Sequence, residues 1–298
     1  MPSSVSDDSI PPAPPPWKLE GTVYTFLTYT SSKAAGYLKS NKAFMYSPLE
    51  AGSSFASGEF LGGIGMVQVI RYADTPVGPY DELVVVPGSF GYRRETASGN
   101  RKIMKEEKNQ RATRVYVSQK QTCWNGRKNW SIPKHLARFS FKTLPGNGIS
   151  IAVFPHDEPI SESRSSSWPI FTAIYQPISY LPRFPISTIL AKLVGVDVRL
   201  AQPPLPQGGE GAEELVGADK WHRITPYEFS WRASLGWWDL KQGHATEEDL
   251  LLATPDDREV IESSENFWPG VGRWRIGMLM ENAIIEFPEG EEWGGQES

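Results

Sequence analysis

Lys134 is the residue of this chain best placed to act as a nucleophile. It follows Pro133 within residues 130–137, where most neighbours are apolar. Burial among apolar groups disfavours the charged ammonium and lowers the pKa of a lysine. The neutral amine can condense with a ketone, and the protonated imine is an electron sink that lets a β-carboxylate leave as CO2. The alternative is a solvated lysine in a surface loop.

A second stretch, residues 77–88, carries a phenol and a carboxylate that such chemistry could use. Tyr80 and Glu82 stand at the start of an apolar run over residues 83–86. A carboxylate beside an imine can steer the substrate and move protons, so Glu82 is the candidate acid and base. The alternatives are a solvated or salt-bridged Glu82 and a Tyr80 that only packs.

The order of these motifs resembles that of the acetoacetate decarboxylase superfamily. The family pattern is G-x-Y-x-E, then Y-V-x, then G-R and P-K. It is matched here by Gly78, Tyr80, Glu82, Tyr116, Val117, Gly126, Arg127, Pro133 and Lys134. The agreement covers about residues 17–145 and continues more loosely to about residue 287.

The resemblance implies further site residues. His135 stands where the family commonly has a second lysine, and a histidine is only partly charged near neutral pH. Desolvation would then have to supply the pKa shift of the nucleophile, unless His135 only faces solvent. Arg127 could bind a carboxylate in bidentate fashion, but bracing the loop of Lys134 is its favoured role. The full substrate-binding prediction is Tyr80, Arg127, His135, Gln68, Trp130 and Tyr116.

Two positions depart from the family pattern. Gln68 replaces an acidic residue on the strand before G-x-Y-x-E, and a position near Thr22 lacks the arginine that reaches the family's pocket. The loss of a cation that would receive the substrate carboxylate weakens the case for a small β-keto acid. The predicted substrate is therefore a hydrophobic keto acid bulkier than acetoacetate.

The first functional hypothesis is a cofactor-independent, decarboxylase-like lyase with a Schiff base at Lys134. An alternative uses the same cavity without covalent chemistry, as a cyclase, isomerase or pericyclase that orients a polyketide or terpenoid of secondary metabolism. The 11 tryptophans favour an aromatic cavity of this kind, although a well-filled core would also explain them. A non-catalytic small-molecule binding protein is the third possibility.

Composition argues against several other classes of function. The net charge is −5, and the basic run at residues 101–114 is interleaved with Glu106 and Glu107, which is typical of a solvated loop and not of a nucleic-acid surface. The single cysteine, Cys123, excludes an internal disulfide and fits a reducing compartment. The glycines of residues 61–65 lack the strand–turn–helix context of a dinucleotide site.

Neither a metal nor a cofactor is predicted. The histidines have no mutual metal-ligand spacing; they are His135, His156, His222 and His244. No segment reaches the roughly 20 apolar residues that cross a bilayer, and the first residues lack the apolar core of a secretory signal. We therefore expect a cytoplasmic protein that binds a hydrophobic small molecule. The resemblance adds the expectation that copies of this chain can associate as a homo-oligomer.

Alternating and β-branched segments predict a β-rich α+β fold. Strands are expected at residues 19–29, 65–73, 83–86, 114–117, 138–143, 149–154, 169–177, 196–200, 274–280 and 282–287. A helix is expected from Ser118 to about Arg127, a short one at 247–252, and an exposed excursion at 95–111. The resemblance makes the fold a conical mixed β-barrel with a few peripheral helices.

Three segments are predicted along the chain. Residues 1–16 are a disordered Pro/Ser-rich tail, because they cannot bury enough apolar area to offset the entropy of ordering. Residues 17–289 form a single acetoacetate decarboxylase-like β-barrel domain. Residues 290–298 form an acidic flexible tail.

Overall fold

The computed structural model describes residues 10–98, 101–156, 169–190, 197–240 and 271–294. Its strands are β1 Trp17–Thr30, β2 Glu59–Asp74, β3 Tyr80–Val86, β4 Ser89–Ser98, β5 Arg101–Gln110, β6 Arg114–Val117, β7 Lys134–Leu144, β8 Gly148–Pro155, β9 Phe171–Pro177, β10 Phe184–Ser187, β11 Leu200–Gln202, β12 Lys220–Ile224, β13 Tyr227–Asp239, β14 Val271–Phe287 and β15 Glu291–Gly294. Its α-helices are α1 Ser32–Ser40, α2 Pro48–Ala51 and α3 Lys120–Trp130.

Nine strands close into a mixed β-barrel, which confirms the predicted fold. Their order is β1-β14-β13-β9-β8-β7-β6-β3-β2, and β2 pairs again with β1. Neighbouring barrel strands are antiparallel except β6 and β7. A parallel pair needs a crossover connection, and α3 provides it. Lys134 therefore begins the strand that follows this crossover.

A second sheet extends from the barrel. The first part of β2 pairs with β4, and the sheet continues through β5, β11, β12 and β15, while β10 pairs with β13. The excursion predicted at residues 95–111 is exposed at residues 103–106, as expected, but it is not irregular, because β4 and β5 form a long antiparallel hairpin. Its polar composition reflects exposed faces of a ladder whose backbone groups are paired.

The register of the barrel strands puts Lys134 and Glu82 on the same face of the sheet. Glu82 pairs with Val117, and Val117 pairs with Leu136. Because side chains alternate between the two faces of a strand, Lys134 and Glu82 share a face and His135 lies on the other. Each face has its own buried apolar cluster.

Several boundaries differ from the sequence prediction. The helix begins at Lys120, and Gln119 caps it by accepting from the backbone N–H of Thr122, so Ser118 is not the cap. The strand expected at 196–200 forms at Leu200–Gln202. The strands expected at 274–280 and 282–287 are one strand, β14, in which Asn282 has a φ of 49° at a register shift against β1.

Both predicted tails are partly ordered. The backbone N–H of Ala13 donates to Asn125 Oδ1 at 2.6 Å, so this part of residues 1–16 lies on α3. Glu291–Gly294 form β15 and not a free tail, because they pair with β12. The helix expected at 247–252 lies outside the described residues. No described helix has the length and apolar character needed to span a membrane.

Candidate functional site

A buried ion pair between Lys134 and Glu82 forms the centre of the site. Lys134 Nζ lies 2.8 Å from Glu82 Oε2 and 3.0 Å from Thr122 Oγ1. Both charged side chains are only 4% exposed. Because Glu82 comes from β3 and Thr122 from α3, the amine is held between the barrel wall and the crossover helix.

Local backbone features deliver the lysine to this position. Ser131 ends α3 in the left-handed conformation, with φ 51° and ψ 33°. Pro133 follows, and the chain enters β7 at Lys134. The lysine side chain lies against Gly126, where an added Cβ would be 2.6 Å from both Cδ and Cε. The glycine of the G-R motif therefore makes room for the lysine stem.

Arg127 and His135 meet at a second buried carboxylate, Glu50 of α2. Glu50 Oε1 lies 2.9 Å from Arg127 Nη1, and Oε2 lies 2.7 Å from His135 Nε2. Burial acts to raise the pKa of Glu50, but the charges and hydrogen bonds of His135 and Arg127 outweigh it and lower that pKa. Glu50 was missed by sequence reasoning, because nothing near residue 50 signals its partners.

Arg127 braces the chain around the lysine. It donates to the carbonyls of Lys134, Pro206 and Val216 as well as to Glu50. The guanidinium is fully buried in these contacts. The geometry thus corresponds to bracing and not to a substrate-facing cation.

Two tyrosines adjoin the ion pair. The ring centroid of Tyr80 is 5.1 Å from Lys134 Nζ, and the Tyr72 and Tyr80 rings are 4.5 Å apart. Burial, and secondarily the charge of Glu82, raises the pKa of both phenols well above its usual value. Both hydroxyls therefore remain protonated at neutral pH.

A cavity of about 70 Å³ lies beside the pair, on the same face of the barrel sheet. Most of its wall is apolar, and the polar groups are Glu82, Gln68, Glu228, Tyr72 and Thr188. The apolar lining includes Met66, Ile70, Val84, Val115, Ile132, Leu200 and Phe287. Glu82 both lines this cavity and holds Lys134. Because ligand pockets for whole organic molecules are typically about 300–1,000 Å³, this volume suits only the reacting end of a large substrate.

Glu228 is the second carboxyl of the cavity, and sequence reasoning missed it. Gln68 Nε2 donates to Glu228 Oε1 at 3.1 Å and to Oε2 at 3.0 Å. Burial raises the pKa of Glu228 to about 7, although the hydrogen bond from Gln68 opposes the rise. A glutamate at an inward position of the aromatic strand Tyr227–Asp239 was the available signal.

The other predicted site residues lie away from the cavity. Tyr116 occupies the opposite face of the sheet, where its hydroxyl accepts from Arg114 Nη1 at 2.9 Å. Trp130 is core: its ring is 5.1 Å from that of Trp17, and its Nε1 donates to the carbonyl of Pro288. The structure thus brings together Lys134, Glu82, Tyr80 and Gln68. Arg127 and His135 meet at Glu50, and Trp130 and Tyr116 pack in the two apolar clusters.

A larger open cleft lies on the second sheet. Its volume is about 1260 Å³, and its walls include Tyr92, Trp221 and Trp293 among several charged side chains. None of the predicted site residues lines it. Within the described ranges, no three His, Cys, Asp or Glu side chains are grouped so as to hold a metal ion.

This geometry defines a class of protein: a closed β-barrel in which a buried lysine–glutamate pair lies beside an apolar cavity. Several solved structures have the same fold. Acetoacetate decarboxylase from Legionella pneumophila superposes with a TM-score of 0.52 at 14% identity, over 99% of this chain and 98% of that one. Another acetoacetate decarboxylase gives 0.52 at 13% identity, over 100% and 97%. An acetoacetate decarboxylase-like enzyme from Sphingomonas wittichii gives 0.50 at 9% identity, over 98% of each chain.

The chain therefore has the acetoacetate decarboxylase-like fold in a divergent sequence, as the motif order predicted. No protein-family model matches the sequence. The rice protein NEOXANTHIN-DEFICIENT 1 (Oryza sativa subsp. japonica) is 31% identical over 126 residues, which cover 42% of this chain and 34% of the relative. The match thus spans about a third of the length of that relative.

Proposed function

We propose that this protein is a cofactor-independent enzyme that forms an imine between Lys134 and a hydrophobic carbonyl compound. A decarboxylase-like lyase reaction on a hydrophobic keto acid is its leading form. The observation that carries the proposal is the placement of Lys134 Nζ, buried 2.8 Å from Glu82 beside an apolar cavity. The fold shared with acetoacetate decarboxylases supports it.

The ion pair can supply the reactive amine. Imine formation needs neutral Nζ, and Glu82 Oε2 is within hydrogen-bond distance to take the ammonium proton. The amine adds to the carbonyl carbon, and loss of water gives the imine. If a β-carboxylate leaves as CO2, the electron pair remains as an enamine, which takes one proton before water releases the ketone and restores the lysine.

Borohydride trapping tests this proposal. The protein is incubated with acetone, butanone, methyl hexyl ketone or acetoacetate and then reduced, and the adduct is located by intact mass and peptide mapping. We expect one reduced adduct on Lys134 that disappears in Lys134→Ala. Lys142→Ala changes an exposed lysine of the same strand and should keep the adduct. The imine proposal is wrong if the folded wild-type protein gives no adduct with any carbonyl compound.

A specific observation favours a second candidate, a non-covalent isomerase or cyclase. The described lining of the cavity contains two carboxyl groups and neither lysine nor arginine, so it offers no cation to a substrate carboxylate. A neutral, oxygenated apolar molecule suits this lining better. The name of the rice relative refers to neoxanthin, which adds oxygenated terpenoids to the substrates worth testing.

Turnover by Lys134→Ala separates the two candidates. A variant that still converts an oxygenated terpenoid, followed by chromatography and mass spectrometry, would support non-covalent catalysis. Loss of conversion together with loss of the borohydride adduct would support the imine. Tight binding without conversion by either protein would instead make the chain a small-molecule binding protein.

A further inference from the structure

We propose that Glu228 is a catalytic residue that exchanges a proton with the carbon next to the substrate carbonyl, while Gln68 positions its carboxyl group. This inference rests on the proposed function, since it concerns the same cavity. Among the carbonyl compounds of the proposed function, it favours a neutral ketone or enone over a keto acid, with the carbonyl carbon at Lys134 and the α-carbon facing Glu228.

The first argument is the position of the carboxyl. Glu228 comes from β13 and Glu82 from β3, and three strands separate these along the barrel sheet: β14, β1 and β2. Both carboxyls nevertheless line the same small cavity. One of them is committed to Lys134 by a 2.8 Å contact. The other is available to a bound molecule.

The second argument is the electrostatic environment of Glu228. In the described part of the chain no lysine, arginine or histidine pairs with it, and Gln68 is its hydrogen-bond partner in the cavity. The titratable groups that line the cavity with it are Tyr72 and Glu82. Since Tyr72 is a neutral phenol and Glu82 is ion-paired, neither offers Glu228 a compensating positive charge.

The third argument is that the carboxyl is held in place. Gln68 Nε2 contacts both of its oxygens, and the backbone N–H of Glu228 donates to Thr188 Oγ1 at 3.0 Å. Burial brings the pKa of Glu228 to about 7, so the acid and base forms are both present near neutral pH. A group that must first take and then return a proton needs such a pKa.

The proposed step needs no further reactant. In the protonated imine on Lys134, the Glu228 carboxylate removes a proton from the α-carbon, and the C–H electrons form the enamine while the imine nitrogen becomes neutral. The Glu228 carboxylic acid then returns a proton to the α-carbon, or to the γ-carbon of an enone, which restores the protonated imine. Water hydrolyses that imine to release the ketone.

The test follows deuterium uptake into butanone in D2O by mass spectrometry, beside borohydride trapping of the same ketone. Glu228→Gln preserves the size of the side chain and a hydrogen bond to Gln68. We expect this variant to keep the Lys134 adduct within about twofold and to lose exchange by about 10²–10⁴-fold, the usual contribution of a positioned acid or base.

Two further variants sharpen the result. The double variant Gln68→Glu with Glu228→Gln moves the carboxyl to the other side of the hydrogen bond, and it should recover part of the lost exchange. Glu281→Gln removes a carboxylate of β14 that pairs with Arg183 and Arg232 outside the cavity, and it should exchange at the wild-type rate.

The possible outcomes distinguish this inference from the proposed function. A Glu228→Gln variant that traps butanone and exchanges deuterium at the wild-type rate would overturn the role of Glu228 and leave the imine intact. Wild-type exchange without an adduct would remove the imine and keep Glu228 as the base of a non-covalent isomerase, provided that Glu228→Gln abolishes it. Neither adduct nor exchange in the wild-type protein would overturn both.

Discussion

At the scale of single residues, Gly126 connects the helix to the reactive lysine. Replacing Gly126 by alanine puts a methyl group 2.6 Å from Lys134 Cδ and Cε. The lysine stem must then move, so we expect Gly126→Ala to reduce borohydride trapping by at least tenfold. Gly36 of α1 is the matched control, since an added Cβ there meets nothing within 4 Å. Gly36→Ala should raise the free energy of unfolding by roughly 0.5–1 kcal/mol and leave trapping unchanged. Equal trapping by both variants would contradict the packing described.

Glu228 should make stability depend on pH. Its folded pKa of about 7 lies above the ordinary value of 4.5, so the folded protein holds a proton that the unfolded chain releases between these values. The free energy of unfolding therefore falls as pH rises from about 4.5 and levels off above pH 7, at a total cost of about 3 kcal/mol. Glu228→Gln should be more stable than the wild type at pH 8 by up to this amount and equally stable at pH 4. Urea unfolding at the two pH values measures the difference, and a variant less stable at pH 8 would contradict it.

At the scale of elements, a substitution in β15 tests whether this strand contributes to the stability of the fold. Trp293 pairs with Trp221 across the β15–β12 ladder, and the rings lie 5.7 Å apart. Trp293→Ala should lower the free energy of unfolding by about 1–3 kcal/mol, because Trp293 is only partly buried. Trp231→Ala, at a site 73% exposed, should change it by less than about 0.5 kcal/mol. A flexible tail would instead give two variants of equal stability in urea.

Some strands and site residues could be predicted from local sequence patterns, and others could not. Alternating apolar residues were enough to predict most barrel strands. The motif order grouped Lys134, Glu82 and Gln68 in one site, and the grouping succeeded because their strands lie close together along the barrel. The β4–β5 hairpin was missed because most of its residues are polar or charged, so no apolar alternation marks its strands. The roles of Glu50 and Glu228 depend on contacts made by distant parts of the chain. No local pattern indicates Glu50, and for Glu228 the sequence offers only its place in the aromatic segment Tyr227–Asp239.

At the scale of the whole molecule, Cys123 should report the opening of the barrel. It is the only cysteine of the chain, it is fully buried, and its thiol donates to the carbonyl of Lys134 at 3.2 Å. Burial raises the pKa of the thiol to about 12. Since the thiolate is the reactive form, the native protein should react very slowly with iodoacetamide at pH 8.

The labelling rate of Cys123 then measures how often the closed barrel opens. A closed barrel has no free edge strand from which the sheet could fray, so exposing α3 and β7 should require a large cooperative opening. We expect one adduct to form promptly in urea and over a far longer time in the native protein, as followed by intact mass. Tyr180 is 83% exposed, so Tyr180→Cys in a Cys123→Ala background should label at once without urea. Rapid labelling of native Cys123 would mean that the α3 crossover opens independently, and the lysine would then be held by a mobile helix and not by a rigid wall.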